Sequence, residues 1–151
     1  MIVLKRTSPD DLDFQSLVAA LDKELWVRYP STQQNFAPHN KLDHSVSVVV
    51  AYEKDSPVGC GCFRPLIEEK GIEIKRMYVV PSSRGMGIAR QVLAELEKWG
   101  KELGFAHSKL ETGANQPEAI AVYKRAQYRQ IPNYPPYTNM EESICMAKLL
   151  S

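Results

Sequence analysis

The segment Val79-Val80-Pro81-Ser82-Ser83-Arg84-Gly85-Met86-Gly87-Ile88-Ala89 decides how this chain folds, because the pattern of apolar residues changes within it. Before it, the run from Gly71 to Val80 follows a charged turn and predicts a strand. After it, apolar residues recur every three or four positions at Ile88, Val92, Leu96, Trp99 and Leu103. That spacing predicts a helix, so the segment is a direct strand-to-helix junction.

The junction has the composition of an anion-binding loop. Its glycines, Gly85 and Gly87, allow positive backbone angles and let main-chain N–H groups approach a ligand closely. The start of the helix adds unpaired N–H donors and a partial positive charge. Arg84 adds a planar cation that suits phosphate. Together these features predict a phosphate site.

Two common nucleotide loops do not match this junction. A Walker-type loop needs a Gly-Lys-Ser/Thr ending, which is missing. A dinucleotide fingerprint needs Gly or Ala where this chain has Arg90, and no second nucleotide-binding half fits in the chain. The remaining alternative from the residues is a glycine turn that opens an ordinary helix.

Around this junction, strand and helix patterns alternate. The predicted strands are Ile2–Arg6, Ser45–Tyr52, Val58–Leu66, Gly71–Val80, Ser108–Glu111, Tyr128–Ile131 and Ser143–Leu149. A first helix is expected to start with Ser8 as N-cap and to end at Tyr29-Pro30. A long polar loop is expected over residues 30–43, and a short helix from near Pro117. The order predicts one mixed α/β domain spanning residues 1–151.

Composition narrows the class of protein. The 151 residues are 44% hydrophobic and 25% charged, with a formal net charge of +1, which argues against nucleic acid as the main partner. No apolar run approaches the roughly 18 residues of a membrane span, and the N-terminus does not read as a signal peptide, so a cytoplasmic location is expected. The cysteines Cys60, Cys62 and Cys145 are expected to be buried thiols, and no metal is expected.

The loop resembles the Arg/Gln-x-x-Gly-x-Gly/Ala signature of the GNAT (Gcn5-related N-acetyltransferase) superfamily, with Arg84, Gly87 and Ala89 at the fixed positions. The preceding strand with Val80-Pro81 resembles that family's fourth strand and its β-bulge. The segment from Asn115 to Tyr128 resembles the family's Asn…Ala-x-x-x-Tyr-x-x-x-Gly-Phe/Tyr pattern, with Gln127 in place of the usual glycine. The resemblance covers essentially the whole chain.

This resemblance implies an α/β (α+β) fold, with a mixed, mostly antiparallel sheet of about six to seven strands flanked by helices. It also implies an acetyl-CoA-dependent N-acetyltransferase, in which an amine attacks the thioester directly in a ternary complex. The pyrophosphate of acetyl-CoA would lie on the loop residues Arg84, Gly85, Met86, Gly87, Ile88 and Ala89. The pantetheine arm would pair with Met77, Tyr78 and Val79. Asn115 would hydrogen-bond the pantetheine or a neighbouring backbone group, with a helix N-cap just before Pro117 as the alternative.

Two residues carry the catalytic roles that the resemblance implies. Tyr123 would be the general acid that protonates the coenzyme A sulfur, and the alternative is a core tyrosine on an amphipathic helix. Glu73 would be the general base. The alternative is a surface or salt-bridged glutamate that pairs with Lys75 or Arg76.

The acceptor is expected to be a small-molecule amine. Arg64 could face a substrate carboxylate, and Tyr137, in the segment Tyr134-Pro135-Pro136-Tyr137, could wall the pocket. Residues 30–44 would complete it. The alternatives are a protein or peptide N-acetyltransferase and a non-catalytic acyl-CoA-binding sensor. A homodimer is a further expectation of the resemblance, and His39, His44 and His107 are expected to be surface or loop residues.

Overall fold

The computed structural model describes residues 1–28 and 45–150. Within these ranges seven strands form: β1 Ile2–Thr7, β2 Ser47–Glu53, β3 Ser56–Leu66, β4 Gly71–Val79, β5 His107–Gly113, β6 Arg129–Ile131 and β7 Ser143–Leu149. The helices are α1 Leu12–Arg28, α2 Ile88–Glu102 and α3 Pro117–Arg125. No helix in these ranges is long and apolar enough to cross a membrane.

The strands form one sheet in the order β1-β2-β3-β4-β5-β7-β6. Every neighbouring pair is antiparallel except β4 and β5, which are parallel. The expected mixed, mostly antiparallel sheet is therefore confirmed. The parallel pair requires a crossover, and α2 supplies it between the two strands.

Helices cover both faces of the sheet, so β2 is buried on both sides. Val48 and Val50 pack on the α1 side, together with Cys60 and Cys62 of β3. Val49 belongs instead to the larger core on the α2 side, because successive side chains of a strand point to opposite faces. Cys60, Cys62 and Cys145 are buried free thiols, as predicted.

α2 packs closely on the sheet through one apolar face. Its buried residues are Ile88, Val92, Leu93, Leu96 and Gly100. At Gly100 a Cβ atom would stand 2.9 Å from Cδ1 of Ile72, so the glycine lets helix and sheet approach. The predicted glycine cap is confirmed: Gly104 has φ +94°, and the N–H of Phe105 donates to the Gly100 carbonyl.

The start of α1 differs from the prediction. The helix begins at Leu12, and Asp11 caps it: the Phe14 N–H donates to Oδ1 of Asp11 at 3.1 Å, and the Gln15 N–H donates to its carbonyl at 3.0 Å. Ser8 is therefore not the N-cap. The predicted end at Tyr29-Pro30 and the predicted loop over residues 30–43 lie outside the described residues, as do His39 and His44.

β4 carries a β-bulge and then separates from β5. Tyr78 pairs with Cys60 and Lys75 pairs with Cys62, so Arg76 and Met77 together face Gly61. Arg76 takes the left-handed conformation, φ +60°. The register of β4 with β5 ends at the pair Ile74 and Leu110. Beyond that pair the two strands are no longer paired, and the gap between residues 75–79 of β4 and residues 111–113 of β5 is called the wedge below.

Candidate active site

The wedge between β4 and β5 exposes a strand edge. Residues 75–79 of β4 pair with β3 on one side only, and within the described ranges no strand pairs with the other side. The predicted pantetheine residues Met77, Tyr78 and Val79 lie on this stretch. Free main-chain donors and acceptors on a strand edge are suited to an extended ligand that adds like another strand.

The glycine loop lies directly beyond this edge. Gly85 has φ +83° and Gly87 has φ +80°, and a Cβ atom at either position would meet no atom within 4 Å. Gly87 is the N-cap of α2, and no side chain caps the helix there. The first-turn N–H groups of α2 therefore have no side-chain cap, and the space beside both glycines is open. This arrangement fits the pyrophosphate of acetyl-CoA.

Arg84 connects this loop to its surroundings. Its Nε donates to the Val79 carbonyl at 2.8 Å, and its Nη2 donates to Oε2 of Glu24 on α1 at 2.8 Å. The guanidinium carbon lies 5.6 Å from the centre of the Tyr78 ring. Arg84 thus links the loop to β4 and to α1.

Tyr123 lies on α3 and is 7% exposed. Its ring packs edge-on against Tyr128 with 6.0 Å between the ring centres. Burial, and then the negative charge of Glu111, raises the pKa of the Tyr123 hydroxyl. The hydroxyl stays protonated at neutral pH and can donate a proton, and the side chain is also part of the core, so both predicted interpretations describe features of this residue.

Glu73 is 2% exposed and has both carboxylate oxygens bonded. Arg64, its cross-strand neighbour on β3, donates from Nε to Oε1 at 2.5 Å. Tyr134 donates its hydroxyl to Oε2 at 2.8 Å. Of the two partners proposed from the sequence, Arg76 instead pairs with Asp22 of α1, whereas the charge of Glu73 does act on Lys75.

The residues predicted to bind the acceptor adjoin Glu73. The side chain of Arg64 is about half exposed, and Tyr137 is buried with its ring edge-on to Tyr134, 5.7 Å between centres. Burial lowers the pKa of Arg64, but the hydrogen bond and the charge of Glu73 outweigh it and raise the pKa overall. Arg64 is therefore a permanent cation at the rim of this cluster.

Asn115 lies in the turn between β5 and α3 and is exposed. The N-cap of α3 is Gln116, so the N-cap alternative for Asn115 is wrong. The helix starts one residue later because Pro117 takes the first helical position, which suits its fixed φ. Binding of pantetheine by Asn115 stays a prediction. His107 is the first residue of β5 rather than a loop residue, and its Nε2 lies 3.0 Å from Oε1 of Glu69.

The sequence prediction gave no role to Glu111, which lies on β5 next to Leu110, the last residue paired with β4. Burial raises the pKa of its carboxyl to about 7, with a further rise from Glu73 and opposing effects of Ser143 and Lys75. The one feature of the sequence that could have pointed to Glu111 is its position near the carboxyl end of β5, the strand that follows α2. The sequence alone did not show where β4 and β5 separate.

The fold and site together define a class: a mixed sheet split between two parallel strands, with an anion-binding loop at the start of the crossover helix. A family model described as Acetyltransferase (GNAT) family matches residues 13–128. The chain therefore belongs to the GNAT acetyltransferases, and it is an acyltransferase. The members of this family use acetyl-CoA.

Individual relatives agree with this assignment. An IAA acetyltransferase from Azospirillum brasilense is 29% identical over 150 residues, covering 99% of this chain and 98% of the relative. A Klebsiella pneumoniae crystal structure assigned to the acyl-CoA N-acyltransferases has a TM-score of 0.82 and 32% identity, covering 100% of this chain and 99% of the other. The PaiA N-acetyltransferase from Thermoplasma acidophilum, solved with coenzyme A, shares the fold at a TM-score of 0.72 and 16% identity, covering 99% of both chains.

Proposed function

We propose that this protein transfers the acetyl group of acetyl-CoA to the primary amine of a small molecule. One observation carries the proposal: the uncapped start of α2, with Gly85 and Gly87 at positive φ, lies next to the unpaired edge of β4. The first feature is suited to a pyrophosphate and the second to an extended amide-containing arm. Coenzyme A has both groups in that order.

Tyr123 and Glu73 are the catalytic residues that the sequence predicts. Tyr123 would give its proton to the departing sulfur, a role that its protonated, buried hydroxyl supports. Glu73 would act at the amine. Its bonds to Arg64 and Tyr134 hold the carboxylate in one orientation, which also supports a role in positioning the acceptor.

The surroundings of Glu73 support a small acceptor. The buried Tyr137 and the half-buried Tyr134 enclose this part of the sheet, and the exposed side of Arg64 can meet an anionic group of the acceptor. Among the described residues, Glu73 lies with Arg64, and the charge of Lys75 acts on Glu111, so charges of both signs meet here instead of the acidic surface that a basic protein tail would require. The Azospirillum relative is named for IAA and not for a protein, which supports the small-molecule part of the proposal.

The first test is ligand-dependent stability. Acetyl-CoA at concentrations far above micromolar should raise the melting temperature of the protein, whereas ATP and NADH at the same concentrations should not. An absence of any shift with acetyl-CoA would rule out the loop assignment.

The second test is turnover on a panel of small amines and lysine peptides, followed by release of the coenzyme A thiol. Turnover of small amines supports the proposal. Turnover restricted to peptides would replace it with a protein acetyltransferase, and binding of acetyl-CoA without any turnover would replace it with an acyl-CoA sensor.

A further inference from the structure

The geometry points to Glu111 as the proton acceptor for the amine, with Glu73 holding the surrounding charges in place. This inference rests on the proposed acetyl transfer and assigns one of its steps. Glu111 lies on β5, one residue beyond the last pair that joins β5 to β4. It therefore occupies the point where the wedge opens.

The neighbours of Glu111 come from each element packed around the wedge. Glu73 and Lys75 act on it from β4, and Tyr123 interacts with it from α3. Glu111 also interacts electrostatically with Tyr137, in the segment between β6 and β7, and with Cys145, which pairs with Glu111 on β7. The proposed general acid and the proposed proton acceptor thus lie within electrostatic reach of each other.

Ser143 lies diagonally across from Glu111 on β7. Its hydroxyl oxygen is buried and has no partner of good hydrogen-bond geometry among the described residues. It lies close enough to Glu111 to lower the pKa of that carboxyl somewhat. A buried hydroxyl without such a partner is costly, and a bound polar group at this point would satisfy it.

Glu73 and Glu111 differ in how their charges are held. Both oxygens of Glu73 already accept a hydrogen bond, one from a permanent cation and one from a tyrosine. Among the described residues no such pair of donors holds Glu111, and burial brings its pKa to about 7. A carboxyl group titrating near neutrality can both take up and release a proton.

The acceptor would arrive as an ammonium ion, because an alkylamine has a pKa of about 10. The Glu111 carboxylate takes one ammonium proton, and the freed lone pair attacks the thioester carbonyl carbon to form the C–N bond. The C–S bond then breaks, and the leaving sulfur takes the proton of the Tyr123 hydroxyl. The second nitrogen proton returns to the Tyr123 oxygen, and Glu111 releases its proton to water.

The test is the pH dependence of kcat/KM for an amine that the wild-type enzyme acetylates, measured for wild type, Glu111→Gln and Glu68→Gln. Glu68 is an exposed glutamate remote from the wedge and serves as the matched control. The wild-type profile should rise with unit slope to about pH 7 and then level off. Glu111→Gln should lower kcat/KM by about 10²–10⁴-fold at pH 8, with no levelling near pH 7 and a continued rise toward the pKa of the amine. Its acetyl-CoA-induced rise in melting temperature should match wild type.

A second variant, Glu111→Asp, tests the inference if Glu111→Gln folds poorly. It keeps a carboxylate, so its kcat/KM should still level off with pH, at a lower value than in the wild type. The inference is overturned if the pH profile of Glu111→Gln is that of the wild type. It is also overturned if Glu73→Gln loses the levelling near pH 7 while Glu111→Gln keeps it. A wild-type profile that does not level off near pH 7 would overturn it as well. Failure of the wild type to acetylate any amine would instead overturn the proposed function, and the inference with it.

Discussion

Tyr134 donates its hydroxyl to Oε2 of Glu73 across 2.8 Å, although the two residues are 61 positions apart in the sequence. The bond fastens the segment between β6 and β7 to the middle of β4. Burial, and then the charge of Glu73, raises the pKa of Tyr134, so the hydroxyl remains a donor throughout the neutral range. The other carboxylate oxygen of Glu73, Oε1, accepts a hydrogen bond from Nε of Arg64, so Arg64, Glu73 and Tyr134 form one hydrogen-bonded cluster.

Removing this bond should cost stability. Tyr134→Phe leaves a buried carboxylate oxygen without its donor, and a hydrogen bond to a charged group contributes about 1.5–3 kcal/mol. We expect the free energy of unfolding, measured by urea denaturation, to fall by that amount. Glu73→Gln supplies the second corner of a double-mutant cycle, and the double variant should show a coupling energy above about 0.5 kcal/mol. Simple additivity of the two changes would show that the bond contributes little.

The raised pKa of Glu111 predicts a pH-dependent loss of stability. Its folded-state pKa of about 7 lies above its ordinary value of 4.5. The folded protein therefore binds this proton more tightly than the unfolded chain does. The resulting stabilisation is complete below about pH 4.5 and is lost as the pH rises through about 7.

Glu111→Gln removes this titration, so the variant should gain about 2–3 kcal/mol relative to wild type between pH 5 and pH 8. The measurement is the difference in free energy of unfolding between the two proteins at several pH values. Glu68→Gln should show a constant difference from wild type over the same range. A constant difference for Glu111→Gln as well would contradict the assigned pKa.

The sequence predicts the elements of this fold better than the chemistry of its site. α2 and β7 are found nearly where their apolar spacing places them, at Ile88–Glu102 and Ser143–Leu149. The start of α1 was missed because Ser8 and Asp11 are both favoured N-caps, and only Asp11 places a carboxylate within reach of the Phe14 N–H.

Glu111 and the partners of Glu73 were missed for a different reason. The importance of Glu111 depends on where β4 and β5 part, which pairing along the whole sheet determines. The bond from Arg64 to Glu73 depends on the register of β3 with β4. The bond from Tyr134 depends on how a distant loop folds back. Each is a tertiary property that no local pattern carries.

Gln127, which replaces the usual glycine of the family pattern, is predicted to be a strained residue. It has φ +78° and follows the C-cap of α3, where the Tyr128 N–H donates to the Tyr123 carbonyl and the Gln127 N–H to the Lys124 carbonyl. These two bonds are those of a Schellman motif, whose left-handed position glycine normally occupies. Gln127→Gly should raise the free energy of unfolding by about 0.5–1 kcal/mol, since the relief of strain exceeds the added entropy of the unfolded chain.

α2 offers a matched control for this exchange. Gly104 occupies the same position after α2, with φ +94° and open space around it, and the same pair of bonds follows. Gly104→Gln should therefore lower the free energy of unfolding by a similar amount. If both substitutions shift urea-induced unfolding in the same direction, the assignment of strain to Gln127 is wrong.

Gly87→Ala should separate the binding role of the loop from its contribution to stability. Because no atom lies within 4 Å of the added Cβ, its effect comes from the backbone, which is held at φ +80°. An alanine disfavours this conformation by about 1–2 kcal/mol. The backbone should therefore shift and change the direction of the N–H groups at the start of α2, which should weaken coenzyme A binding roughly tenfold in calorimetric titration. Gly104→Ala, at the opposite end of the same helix, introduces the same backbone strain. It should lower stability equally and leave the Kd for coenzyme A unchanged, and a parallel loss of affinity in both variants would show that the loop glycines act on folding and not on the ligand.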